Sequence, residues 1–136
     1  MLANSNQTQK LSPELEARLN ELSLLKNGWN EEDAVQTNPD AVEAARNALR
    51  HLSLLRPFQA PSIVPTFDGF LQLEWHNAIR SLEFEYTPEM WAILGVADVN
   101  TGHPIYNTAS APLIAMEELE KFYFWFSTDE LIWPSK

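Results

Sequence analysis

The chain has no cysteine and only four glycines and three histidines among its 136 residues. Without cysteine there are no disulfides, thiolate zinc sites or cysteine nucleophiles. With so few glycines, a glycine-rich phosphate loop is a poor fit, and neither a dinucleotide fingerprint nor a Gly-x-Ser-x-Gly motif is present. No two histidines have the His-x-x-x-His spacing, which argues against a zinc hydrolase.

Long apolar runs are also missing. No stretch approaches the ~20 residues that cross a bilayer, and the first ten residues are polar rather than signal-like. These features predict a cytoplasmic protein that makes no contact with a membrane.

Positive charge is scarce, since nine basic residues face 19 acidic residues and the formal net charge is -10. An acidic surface repels nucleic-acid phosphates, so we expect no direct binding to nucleic acid. The charge favours one of two uses, which are solubility alone or attraction of a partner protein with a basic surface.

The length fits one domain. Residues 1–11 are rich in Asn, Gln, Ser and Thr and predict a flexible tail, so the expected domain is 12–136. Ser12-Pro13 and Asn38-Pro39 are typical helix starts, because the first side chain can cap free amides and proline fits the first helical turn. A third helix is expected to open at Ala111-Pro112.

A central hairpin is predicted from the alternation of apolar and polar residues between Gly69 and Tyr86. Closure through residues 77–80 sets His76 opposite Ser81, Glu74 opposite Glu83 and Gln72 opposite Glu85. The residues expected to be buried on the apolar face are Leu71, Leu73, Trp75, Leu82, Phe84 and Tyr86.

Further strands are predicted on both sides of this hairpin. Residues 62–64 lie between two prolines, which confines them to a sheet edge. Residues 91–96 form a nearly continuous apolar strand, and residues 105–106 predict a short edge strand. The predicted class is α+β, with two N-terminal helices, a three- to four-stranded antiparallel sheet and a C-terminal helix in two layers.

The polar face of the hairpin is the first candidate site. It carries Glu74, His76, Glu83 and Glu85, which are within reach of one another across the strands. A solvated sheet face, a contact with a partner, and a metal or catalytic site all fit this pattern. Because opposed like charges cost stability, the Glu74–Glu83 pair requires a cation, supplied by Arg80, a partner or a metal.

The loop between the first two helices contains Gly28-Trp29-Asn30 followed by Glu31-Glu32-Asp33. Such side chains close local turns and can ligate calcium, but no EF-hand spacing follows. The preferred interpretation is structural, with Trp29 fixing the loop on the core.

The C-terminal region has five consecutive aromatic residues, 122–126, and further apolar residues in the tail. They cannot all face one core, so Tyr123, Phe124 or Trp125 is expected at a second surface together with Trp133. Either the tail folds back over this surface, or the surface forms a homodimer contact or binds another protein.

Several of these segments together resemble a family of small, uncharacterised bacterial proteins. The resemblance spans about residues 25–86 and rests on Gly28-Trp29-Asn30, the helix start at residues 38–41, residues 68–76 and residues 82–85. The usual family loop is Gly-Trp-Asp-Gly-Tyr, from which Asn30-Glu31-Glu32 departs. The resemblance implies a bacterial or phage-related soluble protein and carries over no catalytic residue.

The function predicted from these features is that of a non-enzymatic acidic module that docks on, inhibits or escorts a larger protein, as antitoxins, immunity proteins, chaperones and phage inhibitors do. We expect no catalytic residues, no metal-ligating residues and no cofactor. One alternative is a metal-dependent hydrolase that uses the Glu/His cluster, and another is a phosphate-mimicking inhibitor. The predicted partner-binding residues are Glu74, His76, Glu83, Glu85, Tyr123, Trp125 and Trp133.

Overall fold

The computed structural model describes residues 10–87, 90–97, 105–111 and 116–127, which form three helices and five strands. The elements in chain order are α1 (Pro13–Ser23), α2 (Pro39–Leu52), β1 (Ser62–Pro65), β2 (Leu71–His76), β3 (Arg80–Thr87), β4 (Met90–Ala97), β5 (Ile105–Ala111) and α3 (Met116–Ser127).

Both N-terminal helices begin where the sequence predicts. The Ser12 hydroxyl accepts a hydrogen bond from the Leu15 amide at 3.3 Å, and the Asn38 side chain accepts one from the Asp40 amide at 2.7 Å. In each case a proline follows the cap and occupies the first turn, whose amides lack intrahelical partners. The predicted start of the third helix at Ala111-Pro112 is not tested, because Ala111 ends β5 and residues 112–115 lie outside the described part.

The sheet is an antiparallel meander in the order β1-β2-β3-β4-β5, so each strand pairs with its neighbours in sequence. The hairpin register is confirmed, with His76 opposite Ser81, Glu74 opposite Glu83 and Gln72 opposite Glu85. The sheet has five strands rather than three or four, because the weak signals in residues 62–64 and 105–106 both mark real strands.

Strand β1 is an edge strand, as its prolines predict. Arg18 of α1 donates its Nε–H to the Ile63 carbonyl at 3.1 Å. Pro61 and Pro65 lack the amide hydrogens that an added strand would need. This edge is therefore poorly suited to pair with another chain.

The α+β class is confirmed, with the helices packed on one face of the sheet. All six hairpin residues that were expected in the core lie on the helix side, five of them buried and Tyr86 half-buried. Leu11, assigned to the tail from sequence, is buried as well and belongs to the core; residues 1–9 lie outside the described part. Trp29 is half-exposed and does not anchor the loop on the core.

An aromatic cluster joins α3 to the sheet. Trp75 makes edge-to-face contacts with Phe84 and Tyr123, at centroid distances of 5.2 and 5.5 Å. The Trp75 indole N–H donates to the Gln59 carbonyl at 2.7 Å, and the Tyr123 hydroxyl accepts from the Gln59 amide at 2.9 Å. Two core aromatics thus also satisfy the backbone of the segment between α2 and β1.

Arg80 is buried on the helix side of β3. Its guanidinium lies 4.8 Å from the Trp125 ring centroid, and Nη1 donates to the Trp125 carbonyl. That carbonyl is in the last turn of α3, where backbone acceptors lack helical partners and a positive charge is favourable. Arg80 therefore ties the end of α3 to the sheet.

Among the described helices, none combines the length and the apolar character that a membrane span requires.

Replacement of Trp75 by alanine should lower the free energy of unfolding by about 3–5 kcal/mol, as for other deletions of large buried side chains. Urea denaturation followed by circular dichroism measures this change. Phe124, which is 43% exposed on α3, supplies the control, because Phe124→Ala removes an aromatic ring outside the core. A loss below about 1 kcal/mol for Trp75→Ala would contradict its placement.

Replacement of Arg80 by leucine should lower the free energy of unfolding by about 2 kcal/mol or more, because a charged hydrogen bond and a desolvated cation–π contact are both lost. Arg80→Lys should recover less than half of this loss, since the ammonium lacks the planar geometry that stacks on a ring. Chemical denaturation of both variants beside the exposed control Arg50→Leu checks this. If Arg80→Lys were as stable as the natural chain, the positive charge alone, and not the planar guanidinium, would account for the stabilisation by Arg80.

Candidate functional site

The candidate site is the sheet face opposite the helices, here called the acidic face and defined by Glu74, His76, Glu83 and Glu85. The strand registers place its side chains in cross-strand rows. The row through the centre of the face consists of Ser62, Glu74, Glu83 and Leu94. The adjacent rows are Val64, Gln72, Glu85 and Ala92 on one side, and His76, Ser81 and Val96 on the other.

Glu83 is the electrostatic centre of this face. Burial raises the pKa of the Glu83 carboxyl above its usual value, and the neighbouring charges of Glu74 and Glu85 raise it further. His76 acts in the opposite direction and lowers the pKa of Glu83. Since a raised carboxyl pKa means that the charged form is disfavoured, the fold is less favourable for ionised Glu83 than for protonated Glu83.

The contacts around Glu83 relieve this repulsion only weakly. The His76 ring nitrogen Nε2 lies 3.4 Å from Glu74 Oε1, a long contact that carries positive charge only when His76 is protonated. Gln72 donates a neutral hydrogen bond to Glu85 at 3.2 Å. Neither contact brings a permanent positive charge.

Of the three cation sources left open for the Glu74–Glu83 pair, which are Arg80, a partner and a metal, Arg80 does not fill this role. Arg80 is separated from Glu83 by three positions, an odd number, so its side chain points to the opposite face, where it meets Trp125. The described residues include every lysine and arginine except Lys136. None of these described lysines and arginines forms an ion pair with Glu74, Glu83 or Glu85.

Within the described ranges, no group of three or more acidic or histidine side chains is arranged to hold a metal ion. Three pockets in those ranges, of about 180, 270 and 570 Å³, include none of Glu74, Glu83 and Glu85, and the smallest of them is lined in part by His76, Ser81 and Val96. The three carboxylates are themselves half-buried.

The aromatic residues predicted at a second surface take different positions. Tyr123 and Trp125 are both buried, so their assignment to an exposed partner-binding surface is wrong. They face inward because Tyr123 packs on Trp75 and Trp125 packs on Arg80. Phe124 is the member of this run that is exposed. Trp133 lies outside the described residues.

The structure also reveals an exposed group that the sequence reading missed. Phe67, in the turn before β2, is 64% exposed, and Val35, in the loop before α2, is 46% exposed. The Val35 amide donates to the Phe67 carbonyl at 2.7 Å, so two segments far apart in sequence meet there. The position of Phe67, an apolar residue directly before the Asp68-Gly69 turn, is the sequence feature that indicates this exposure.

The chain matches no protein-family model, no curated protein and no solved structure. The resemblance to small bacterial proteins therefore stays a prediction, and the functional argument rests on the geometry of the acidic face.

Replacement of Glu83 by glutamine should raise the free energy of unfolding at pH 7 by up to about 1 kcal/mol, because it removes an opposed like-charge pair. Since the folded-state pKa of Glu83 is raised, its protonated form favours the fold. The stability gained from protonated Glu83 is fully present below about 4.3, the pKa of a glutamate in the unfolded chain. It is lost as the pH rises through the pKa of Glu83 in the folded protein.

The advantage of Glu83→Gln should therefore be largest at neutral pH and shrink towards pH 4 and below. Thermal unfolding between pH 3 and pH 8 tests this, with Glu32→Gln in the exposed loop as the control. A variant less stable than the natural chain at pH 7 would show that Glu83 makes a favourable contact.

Proposed function

We propose that this protein is a non-enzymatic binding module whose acidic face docks on a basic surface of a larger protein. In this role Glu74, Glu83 and Glu85 receive lysine or arginine side chains of the partner. His76, at the exposed end of the same face, lies at the rim of the contact.

The observation that carries the proposal is the opposed pair of carboxylates at Glu74 and Glu83, with Glu85 beside them and no lysine or arginine paired with them among the described residues. Opposed like charges destabilise a sheet. A partner that supplies the cation removes that penalty on binding, so the same feature that costs stability in the free protein contributes affinity in the complex.

The composition of the face supports a protein partner. On β4, beside the carboxylates, Leu94 and Val96 are half-buried. A surface that combines apolar side chains with charges suits a protein interface, whereas small molecules are usually bound in concave pockets. The charges of the acidic face guide the approach of the partner and set specificity, and the apolar side chains of Leu94 and Val96 add buried area.

Affinity capture from cells that produce the protein tests this proposal. The tagged natural chain should retain a protein with a basic surface, and retention should fall as salt is raised from low to high concentration. The triple variant Glu74→Gln, Glu83→Gln, Glu85→Gln should lower the affinity for that protein by on the order of tenfold or more.

A matched control carries the same change in net charge on the helix layer, through Glu14→Gln, Glu21→Gln and Glu117→Gln, and should retain the partner. If both triple variants lose it equally, overall charge rather than the acidic face is responsible. If the natural chain retains no protein, or if the face variant binds as well as the natural chain, the proposal is wrong.

A further inference from the structure

A second surface, distinct from the acidic face, lies where the loop between α1 and α2 meets the turn between β1 and β2. We call it the aromatic patch and define it by Trp29, Val35 and Phe67. The Trp29 indole N–H donates to the Val35 carbonyl at 3.0 Å, and the Val35 amide donates to the Phe67 carbonyl at 2.7 Å. The three residues are therefore neighbours. The side chains of Val35 and Phe67 are exposed, and that of Trp29 is partly buried.

The loop that carries Trp29 and Val35 is held rigidly by its own polar groups. The Asn30 side chain accepts from the amides of Glu32 and Ala34, at 2.9 and 3.1 Å. The Asn27 side chain accepts from the Gln36 amide at 2.9 Å. A surface ordered in this way before binding loses little conformational entropy when a partner arrives.

Gly69 allows the loop and the turn to approach each other closely. Its φ is +96°, and a Cβ atom at this position would lie 2.9 Å from the Gln36 carbonyl oxygen. The Gly69 carbonyl accepts a hydrogen bond from the Asn38 amide at 2.8 Å. The contact that assembles the aromatic patch thus depends on a residue without a side chain.

The rim of the patch is strongly acidic. Glu31, Glu32 and Asp33 are exposed in the loop, and Asp68 is exposed beside Phe67. In residues 26–40 and 66–70, Lys26 is the single basic residue. An apolar centre with a rim of one charge sign matches a partner surface that has an apolar centre and the opposite charge around it.

We infer that the aromatic patch docks a basic amphipathic segment of another protein, with an apolar side chain of that segment seated on Phe67 and Trp29 and its lysines or arginines on the acidic rim. This inference does not depend on the acidic face, because none of its residues belongs to that face. The aromatic residues supply the affinity, as Trp and other large side chains do at interface centres. The acidic rim favours a partner segment with positive charge.

Selection from a random 12-residue peptide library displayed on phage tests this inference with the full chain as bait. Enriched peptides should combine Lys or Arg with Leu, Phe or Trp. A synthetic peptide of the enriched sequence should bind at least tenfold more weakly to Phe67→Ala, by fluorescence anisotropy. The variant Glu31→Gln, Glu32→Gln, Asp33→Asn should weaken binding and flatten its dependence on salt, because rim charges are removed.

Leu54→Ala is the matched control, because Leu54 is a comparably exposed apolar residue at the end of α2 and should leave binding unchanged. Glu83→Gln should also leave it unchanged, which separates this result from the function proposed for the acidic face. Thermal unfolding shows whether each variant folds, and Val35→Ser replaces Phe67→Ala if that variant does not.

Four outcomes would overturn the inference. The first is that no peptide is enriched over an empty surface, and the second is that the enriched peptides are acidic or lack apolar residues. The third is that neither Phe67→Ala nor Val35→Ser changes the affinity. The fourth is sedimentation that shows a dimer which Phe67→Ala converts to a monomer, since a second copy would then be the occupant.

Discussion

The contact between Trp75 of β2 and Tyr123 of α3 links three parts of the molecule. The rings pack at a centroid distance of 5.5 Å, and both side chains bond to the backbone of Gln59. The helix layer, the sheet and the chain that crosses between them are therefore fixed at one place. Because the two polar ring groups are satisfied there, burying such large aromatic side chains carries no penalty for lost hydrogen bonds.

Packing on the helix side also sets the electrostatics of the opposite side. Arg80, at the start of β3, is used to hold the end of α3 through Trp125. The alternation of side chains along a strand then places Glu83 and Glu85 on the other face without that cation. An interaction that stabilises the core thus leaves the repulsion on the acidic face to be offset only by the weak contacts of His76 and Gln72. This repulsion is the basis of the proposed docking role.

The two proposed surfaces differ in what they offer a partner. The acidic face lies on the regular strands β2 and β3 and presents charge beside the half-buried Leu94 and Val96 of β4. The aromatic patch is small, lies on a loop and a turn, and presents large apolar side chains within a charged rim. Both favour basic partners, in keeping with the net charge of -10.

The sequence by itself determined the starts of α1 and α2, the hairpin register and the α+β class, because caps, periodicity and turn residues act over a few neighbouring positions. It did not determine the positions of Arg80, Tyr123 and Trp125, or the exposure of Phe67. Their environments depend on segments distant in the chain: Arg80 meets Trp125, Tyr123 meets Gln59, and Phe67 meets Val35. Only the packing of helices, loops and sheet decides which of these large side chains are enclosed, because enclosure depends on long-range contacts.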